Sequence, residues 1–402
     1  MASFNPFLPE FMLDPYPAYA ELRRDAPVHR SANLGIWVLT RYDDCVQVLR
    51  DHDVFSSDAH NATGMVAALQ AQSEAETGGP AARTVLGSDP PEHTRLRGLI
   101  NKAFTPRRVE EMRDHIADVA DSLLDAAPTD QPFDVIAGLA QPLPIIIIAE
   151  MLGVPASDRE RFKAWSELIA KMTSLMRPPD VNAKVAVARK ELRAYFSNVI
   201  QQRRAQPQND LITALVQAQD GADQLDDEEL LGFCILLLVA GNETTTNLIG
   251  NGSLALARHP EQAEALASDQ LVMSLAVEEL LRYDSPVQAT VRHVVSDTDI
   301  GGTAIAKGES IMAILGAANR DPDQFDNPEI LDLRRADNRH LSFGHGIHYC
   351  IGSPLARLEA EIAFTALLQR SPTIALADEP LEYGGTFILR GLRRLTIAPL
   401  SA

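Results

Sequence analysis

The residue types with the most specific chemistry in this 402-residue chain lie in one short segment, 341–352, which reads LSFGHGIHYCIG. Its cysteine, Cys350, stands just before a predicted helix that begins near Ser353, and a helix N-terminus favours the thiolate form of a thiol. The glycines of the segment let the backbone approach a flat ligand closely. No CxxC or HExxH motif is present, and a lone thiolate cannot complete a zinc site. A single thiolate suits an axial haem ligand, whereas the alternative for an arbitrary cysteine is an inert buried thiol.

A second reactive segment, AGNETT at 240–245, follows an apolar run on the longest predicted helix. Ala240 and the glycine after it are small enough for a ligand to pack against the helix backbone. Glu243 and Thr244 place an acid beside a hydroxyl, a pair that could pass protons into a buried site. A threonine hydroxyl can also bond the carbonyl four residues back, which loosens the helix locally. The alternative is a helix that simply emerges into solvent at Asn242.

Two pairs of polar residues stand at helical spacing. Glu279 and Arg282 are three residues apart and share one helical face, and taken alone this spacing predicts a surface ion pair worth less than about 1 kcal/mol. His93 and Arg97 are four residues apart and share a face in the same way. Buried groups of this kind could hold the two carboxylates of haem, although each residue is singly more typical of an ordinary surface or structural position.

Helical periodicity dominates the chain and must position these segments. We predict helices at Tyr16–Asp25, Arg95–Ala127, Asp158–Met172, Asn182–Ala205, Asp227–Ala257, Pro260–Tyr283 and Ser353–Arg370. Two start signals stand out. The run Asp89-Pro90-Pro91-Glu92 supplies an N-cap and first-turn prolines, and the acidic run Asp223–Glu229 opens the longest helix.

Strand signals are few and short. They fall at Gly35–Thr40, Arg292–Ile300, Thr303–Leu315 and Thr386–Ala398, and the second and third form a hairpin-like region. The polar stretch Ala317–Arg339 predicts a long ordered loop that leads towards Cys350, and loops of this length are uncommon unless they are functional. The pattern as a whole predicts a mainly α, single-domain protein over residues 1–402 with small β-sheets.

Composition and charge exclude several classes of function. A net charge of -19 and a pI near 4.9 repel nucleic acid and anionic membranes. The three cysteines, Cys45, Cys234 and Cys350, are odd in number and widely spaced, which argues against a disulfide framework and for a reducing compartment. We see no signal peptide, and the longest apolar runs are far shorter than the ~18 residues of a membrane span. We therefore expect a cytoplasmic protein with neither nucleic acid nor membrane as a partner.

The pattern Phe343-Gly344-x-Gly346-x-His348-x-Cys350-x-Gly352 resembles the cysteine-loop signature of cytochromes P-450, with every diagnostic position filled. Residues 240–244 are similar to the oxygen-activating motif A-G-x-[DE]-T of that family, and residues 279–282 are similar to its ExxR motif. The resemblance runs in order from about Asp14 to Pro399. It implies the mainly α cytochrome P-450 fold, with haem b buried between the long central helix and the cysteine loop.

The resemblance also implies roles for individual residues. Cys350 would be the ligand of the haem iron, and Glu243 with Thr244 would deliver protons to dioxygen. Arg335 would join Glu279 and Arg282 in holding the cysteine loop against the core. The haem contacts implied are His93, Arg97, Ala240, Arg292, Phe343, Gly344, His348, Cys350 and Gly352, with His93, Arg97, Arg292 and His348 at the propionates. The substrate contacts implied are Val239, Ala240, Val287, Ala289, Phe387 and Ile388, together with the Phe55–Leu86 region and the helices that flank Arg177-Pro178-Pro179.

The activity implied is that of a haem-thiolate monooxygenase, which inserts one oxygen atom of O2 into a hydrophobic small molecule by hydroxylation or epoxidation. A terpenoid, steroid, fatty acid or macrolide would fit the apolar walls. Electrons would come from a separate ferredoxin and ferredoxin reductase, and Lys102, Arg107 and Arg108 would form either a basic docking patch or scattered solvated charge. We expect a monomer. The alternatives are a peroxide-driven or non-redox haem enzyme on the same fold and a haem-binding sensor without turnover, and the Glu243–Thr244 pair argues against both.

Overall fold

The structure, a computed structural model, describes residues 4–77, 84–171, 179–221, 223–268 and 272–400. Its α-helices are α1 Pro9–Leu13, α2 Tyr16–Asp25, α3 Tyr42–Arg50, α4 Gly64–Thr77, α5 Glu92–Ala103, α6 Pro106–Glu110, α7 Arg113–Asp125, α8 Pro142–Met151, α9 Arg159–Ala170, α10 Pro179–Ala205, α11 Leu211–Gln217, α12 Asp227–Arg258, α13 Pro260–Ser268, α14 Met273–Tyr283, α15 Leu315–Ala318 and α16 Ser353–Arg370. Short 3-10 turns lie at Ala59–Asn61, Ala156–Asp158 and Gly346–His348, and a π-helical turn lies at Ile136–Ala140.

The strands are short, as the sequence predicts. They are β1 Val28–Ser31, β2 Ile36–Leu39, β3 Phe55–Ser56, β4 Phe133–Asp134, β5 Gln219–Asp220, β6 Asp223–Gln224, β7 Ala289–Val294, β8 Thr298–Ile300, β9 Thr303–Ile305, β10 Ser310–Ile314, β11 Glu382–Gly385, β12 Arg390–Arg394 and β13 Thr396–Ile397. Five of them form one sheet in the order β1-β2-β10-β7-β3. In this sheet β10 runs parallel to β2 and antiparallel to β7. The predicted strand Arg292–Ile300 is two strands, because β7 belongs to the large sheet whereas β8, among the residues described, pairs with β9 alone.

Helix boundaries agree with the prediction where the sequence has a clear end signal. Both α2 and α16 begin and end at the predicted residues. The predicted helix Arg95–Ala127 is instead three helices, since Pro106 has no N–H to continue α5. Pro106 takes the first position of α6, and the Thr105 hydroxyl caps that helix by accepting from the Arg108 N–H at 3.3 Å. The predicted Pro260–Tyr283 helix is likewise divided into α13 and α14. The predicted helix Asp158–Met172 corresponds to α9, and its last residue lies outside the described residues.

The two predicted start signals have different outcomes. At the start of α12, the Asp226 carboxylate accepts from the Glu229 N–H at 2.8 Å and Glu229 accepts in return from the Asp226 N–H at 2.9 Å, a capping box. The prediction that Asp89 caps α5 was wrong, because that helix begins at Glu92 without a side-chain cap. The Asp89 carboxylate turns instead to the end of β3, where it accepts from the N–H of Ser57, the residue directly after the strand, at 2.8 Å.

The largest core surrounds α12, which packs against α8, α9, α10, α14 and α16. Two smaller apolar clusters cover the two faces of the five-stranded sheet, one with Phe11, Tyr19 and Met312, the other with Val48 and Ile311. Among the described ranges, α12 is the one helix long and apolar enough to cross a membrane, and 61% of its most apolar stretch is buried inside the protein. Burial by neighbouring helices accounts for its apolar composition.

The predicted long loop is present and ordered. After α15 the chain runs from Asn319 to His345 without a helix or strand, and it then enters the cysteine loop and α16. This path places Cys350 at the N-terminus of α16, which packs directly on α12. The fold therefore brings the two reactive segments of the sequence onto neighbouring helices.

Candidate active site

The cysteine loop has a shape that requires glycine. The Cys350 N–H donates to the Phe343 carbonyl at 2.9 Å, which closes the loop. Gly344 and Gly346 have φ angles of +74° and +71°, a region that side chains rarely adopt. A Cβ on Gly346 would also lie 2.5 Å from the Leu49 carbonyl oxygen. The backbone thus passes so close to α3 that no other residue fits at this position.

Cys350 is an exposed residue, although protein atoms surround its thiol on most sides. Burial raises its pKa, whereas the backbone N–H groups of Gly352 and Ser353 and the guanidinium of Arg97 lower it. The start of α16 therefore acts on the sulfur in the direction that the sequence predicts, but burial outweighs it. A positively charged metal ion would reverse this balance, because a coordinating thiol is deprotonated.

A buried ion-pair network supports the loop. Glu279 and Arg282 form two parallel hydrogen bonds of 2.7 and 2.8 Å, and both side chains are fully buried. The interpretation of this pair as a surface ion pair was therefore wrong. Arg335 donates to Glu279 at 3.1 Å, as does the Asn338 amide, and the Asp332 N–H donates at 2.9 Å. The network joins α14 to the long loop that precedes Cys350.

The remaining donors of Arg282 bind the loop backbone. They reach the carbonyl oxygens of Asn319 at 2.9 Å, Pro328 at 2.7 Å and Ile330 at 3.1 Å. The guanidinium therefore satisfies carbonyls that an irregular buried segment could not pair by itself. This arrangement explains how so long a loop presents Cys350 in one position.

Four basic groups predicted at the haem propionates lie together beside the cysteine loop. The rings of His93 and His348 are 4.3 Å apart, and Arg97 donates to the Tyr349 carbonyl at 2.7 Å. Burial lowers the pKa of Arg292 to about 10. Burial, together with the nearby charges of Arg292 and Arg97 and the ring of His93, lowers the pKa of His348 to about 3. These two lowered pKa values mean that additional positive charge is disfavoured at this place.

Within the described part of the chain, no carboxylate forms an ion pair with Arg97 or Arg292, and neither ring nitrogen of His93 has a hydrogen-bond partner. Asp89 is an acid with a resolved effect here, and it acts to raise the pKa of both Arg292 and His93 without outweighing burial. Buried or half-buried arginines that are not paired with an acid favour an anionic ligand, as do the unpaired ring nitrogens of His93. Next to them stands the thiol of the exposed Cys350. The residues present therefore fit haem, because the basic cluster would hold its two carboxylates and the Cys350 sulfur would bind its iron.

The predicted proton-transfer segment forms part of the inner surface of α12. The Thr244 hydroxyl donates to the Ala240 carbonyl at 2.5 Å, the back-bond that the sequence predicts. The Glu243 carboxyl is largely buried, and burial and the nearby Glu167 raise its pKa to about 7. Asn242 is only 4% exposed, so the alternative of a helix that emerges into solvent there was wrong. Gly241 lies against Ile148 of α8, which a Cβ would approach to 2.5 Å.

Two charged residues of this region were not found by sequence reasoning. Glu359 is fully buried on α16, and burial raises its pKa to about 8, whereas the Thr245 hydroxyl opposes this shift. Arg357 lies 4.5 Å above the Phe343 ring and donates to Glu278 at 2.6 Å. An acid among the apolar positions of α16 was the available signal for Glu359, since Leu355, Leu358 and Ile362 share its buried surroundings.

The predicted substrate contacts belong to two parts of the chain. Val239 is half-buried and Ala240 is exposed on α12. In the second part, Val287 pairs with Leu389 in an isolated bridge, and the Gln288 N–H donates to the Ile388 carbonyl at 2.8 Å. Ala289 and Phe387 are buried in the core cluster on one face of the sheet, and the Phe387 ring contacts Phe4 and Phe7 edge-on. The predicted contacts at Arg177 and Pro178 lie outside the described residues.

The helical fold around α12 and the loop that presents Cys350 define a haem-binding protein of the mainly α class. Residues 35–373 match the family model described as Cytochrome P450. The cytochrome P450 monooxygenase PikC of Streptomyces venezuelae is 43% identical over 96% of this chain and 92% of its own length. The vitamin D(3) 25-hydroxylase of Pseudonocardia autotrophica is 40% identical over 98% of this chain and 96% of its own length. The solved structure of the bacillaene polyketide synthase cytochrome P450 PksS of Bacillus subtilis superposes with a TM-score of 0.89, at 38% identity, over 99% of this chain and 100% of that chain.

The chain belongs to the cytochrome P450 family, as the cysteine-loop resemblance predicts. Members of this family are monooxygenases, and therefore oxidoreductases, and they bind haem b. They use small-molecule substrates, O2 and redox partners. The predicted fold class, enzyme class and cofactor are thus confirmed.

Proposed function

We propose that this chain, acting as a single catalytic domain, hydroxylates or epoxidises a large hydrophobic molecule with protons supplied through Glu243 and Thr244. The observation that carries the proposal is the largely buried Glu243 carboxyl beside the Thr244 hydroxyl on the helix that packs against α16. A carboxyl with a pKa of about 7 both gains and loses protons readily near neutral pH. An acid and an alcohol at this place have a clear use in oxygen chemistry and none in simple haem storage.

Haem, when bound, supplies the iron at which O2 is reduced by electrons from outside the chain. Cys350 is the proposed ligand, and its anionic sulfur donates electron density to the metal. His93, Arg97, Arg292 and His348 would hold the two carboxylates, because among the described residues neither arginine of this basic cluster is paired with an acid. Other backbone and side-chain contacts with the cofactor come from Ala240, Phe343, Gly344 and Gly352.

Within the pocket, Glu243 holds a proton and passes it towards the Thr244 hydroxyl. The Thr244 hydroxyl is tied to the Ala240 carbonyl at 2.5 Å, which fixes its oxygen as an acceptor towards Glu243 or a water molecule. Glu279, Arg282 and Arg335 take no part in this transfer. They keep the cysteine loop in place against α14.

The proposed substrate is a large apolar molecule, such as a steroid or a macrolide. Its contacts are Val239, Ala240, Val287, Ala289, Phe387 and Ile388, which are small or apolar and offer shape rather than charge. The names of two relatives support this size class, since one is a vitamin D(3) hydroxylase and another belongs to polyketide biosynthesis.

The proposed electron donors are a ferredoxin and its reductase, in the cytoplasm, with the enzyme as a monomer. Lys102, Arg107 and Arg108 are exposed on α5 and α6 and are the proposed docking patch for an acidic ferredoxin. Lys102 is paired with Asp220 at 3.1 Å, and Arg107 with Glu111 at 3.0 Å. A partner would therefore compete with local acids, and its binding would weaken steeply with added salt.

The test begins with a substrate, found by screening steroids, macrolides, terpenoids and fatty acids for a spin-state change of the ferric haem. With that substrate, Thr244→Ala is compared with Thr246→Ala, which removes a buried hydroxyl two residues further along α12. We expect product per NADPH to fall several-fold in Thr244→Ala, with hydrogen peroxide making up the difference, and to stay near wild type in Thr246→Ala. Unchanged coupling in Thr244→Ala would contradict the proposal, and efficient turnover driven by peroxide alone would favour the peroxide-driven alternative.

A further inference from the structure

Helix α9 is hydrogen-bonded to α12 beside the proton-transfer segment. The Asn242 amide donates to the Ser166 hydroxyl at 2.9 Å, and that hydroxyl donates to the Leu238 carbonyl at 3.4 Å. Asn242 is 4% exposed and Ser166 is 1% exposed. Buried hydrogen bonds of this kind hold two elements in one register, because breaking one leaves polar groups unpaired. We call the contact formed by Ser166, Asn242 and Glu243 the α9–α12 seam.

Two charged residues, one on α9 and one at its C-cap, stand at the outer edge of this seam. Glu167 follows Ser166, and Lys171 follows one helical turn later; both are exposed. Glu167 has a fixed orientation, since its carboxylate accepts from the Gln141 amide at 3.0 Å. Both residues act electrostatically on Glu243, Glu167 raising its pKa and Lys171 lowering it.

No other charged side chain in the described ranges has a resolved effect on Glu243. On the α8 side the neighbour is apolar, because Ile148 lies against Gly241. On the α16 side the acid is Glu359, which acts together with Thr245 instead. The electrostatic environment of Glu243 is therefore set from one direction, by α9.

The seam also contains acceptors without donors. Throughout the described structure, neither the Asn242 amide oxygen nor one of the Glu243 carboxyl oxygens has a hydrogen-bond partner, and both are buried. Buried acceptors are normally paired, and a proton held on Glu243 would supply one donor here. An unpaired, buried carboxyl oxygen disfavours the charged form of Glu243, so this arrangement acts in the same direction as burial.

We propose that α9 controls the proton on Glu243, with Glu167 and Lys171 as positioning residues of opposite effect and the Asn242–Ser166 hydrogen bond fixing their distance from the acid. The inference rests on the proposed function, in which Glu243 passes protons towards Thr244. It adds a source of control outside the haem pocket, at a surface that solvent reaches.

The experiment is a pH titration of the Glu243 carboxyl in the haem-loaded enzyme by infrared difference spectroscopy, with Glu243→Gln used to assign its carbonyl band. We expect the midpoint to fall by about 0.5–1 pH unit in Glu167→Gln and to rise by a similar amount in Lys171→Met, as single nearby charges produce shifts of this order. Glu160→Gln, an exposed acid in the first turn of the same helix, is the matched control and should leave the midpoint in place.

In a Ser166→Ala background we expect the effect of Glu167→Gln to shrink, because the register of the two helices is no longer fixed. The carbon monoxide spectrum of each variant reports that it is folded and loaded. The inference would be overturned if the Glu243 midpoint moved in the same direction in Glu167→Gln and Lys171→Met, or did not move in either. A merely structural role would not give opposite shifts for the loss of a negative and of a positive charge. The Thr244→Ala coupling measurement is independent of this titration, so each proposal can fail without the other.

Discussion

Two buried acids in this protein have opposite surroundings. The Glu279 carboxylate accepts hydrogen bonds from Arg282, Arg335, Asn338 and the Asp332 backbone, so that both oxygens are paired. One Glu243 oxygen has no hydrogen-bond partner among the residues described, and the charged groups with a resolved effect on its pKa are two exposed side chains, on α9 and at its C-cap. A carboxyl enclosed by donors is fixed in place, whereas one without donors can change its protonation state at little structural cost.

The difference assigns separate tasks to the two sides of the proposed haem site. The network around Glu279 joins α14 to the cysteine loop and determines where Cys350 stands. The segment around Glu243 is fixed by the hydrogen bond from the neighbouring Asn242 to Ser166. The Glu243 carboxyl itself therefore remains free to exchange a proton. Substitutions on the two sides should therefore differ in kind, with stability lost on one and proton transfer altered on the other.

The largest effect is expected for Glu279→Gln. The substitution leaves the fully buried Arg282 without its carboxylate, and breaking a buried ion pair in this way costs about 3–5 kcal/mol. Urea unfolding should show this loss together with poor haem retention. Glu110→Gln is the control, because it removes an exposed acid from an ion pair at the same i,i+3 spacing with Arg113. A stable, fully loaded Glu279→Gln variant would contradict the structural role of the network.

A smaller but still substantial effect is expected for Gly346→Ala. The new Cβ would meet the Leu49 carbonyl oxygen at 2.5 Å in addition to the cost of a positive φ angle, and together these should destabilise the protein by about 1–3 kcal/mol. Gly302→Ala isolates the second cost, since Gly302 also has a positive φ angle but no atom within 4 Å of its would-be Cβ. If the two variants melt at the same temperature, the close approach to α3 does not constrain the loop.

The third effect depends on pH and concerns Glu359→Gln. Burial raises the pKa of Glu359 from 4.5 to about 8, so the folded protein retains a proton that the unfolded chain releases above pH 4.5. Wild-type stability therefore declines between about pH 4.5 and pH 8 on account of this group, and the glutamine variant is spared that decline. The melting temperature of the glutamine variant minus that of wild type should therefore be several degrees higher at pH 8 than at pH 5. An equal difference at both pH values would contradict the raised pKa of Glu359.

The smallest expected effects are the opposite shifts of the Glu243 titration in Glu167→Gln and Lys171→Met. They should appear without a change in melting temperature, because both side chains are exposed. Such a result would sharpen the contrast with Glu279, where any change in charge is a change in stability.

The sequence alone determined the features that depend on residues close in the chain. The glycine spacing around Cys350, the ends of α2 and α16, and the shared face of Glu279 and Arg282 follow from local backbone geometry, which neighbouring residues dictate. The family resemblance added Arg335 as the partner of Glu279, and the structure places it there, 56 residues further along the chain.

Only the tertiary structure decided which of these groups are buried and what they meet. The spacing of Glu279 and Arg282 predicts a surface pair, and packing of the long loop over α14 made it the most buried ion pair of the site. Asp89 is of a residue type that is favoured at N-caps, yet its carboxylate accepts from Ser56 and Ser57 at the end of β3 instead. The positions of Glu167, Ser166 and Glu359 around α12 depend on helices that meet across long sequence separations, and burial, which sets the proton affinity of an acid, arises from those contacts rather than from any local pattern.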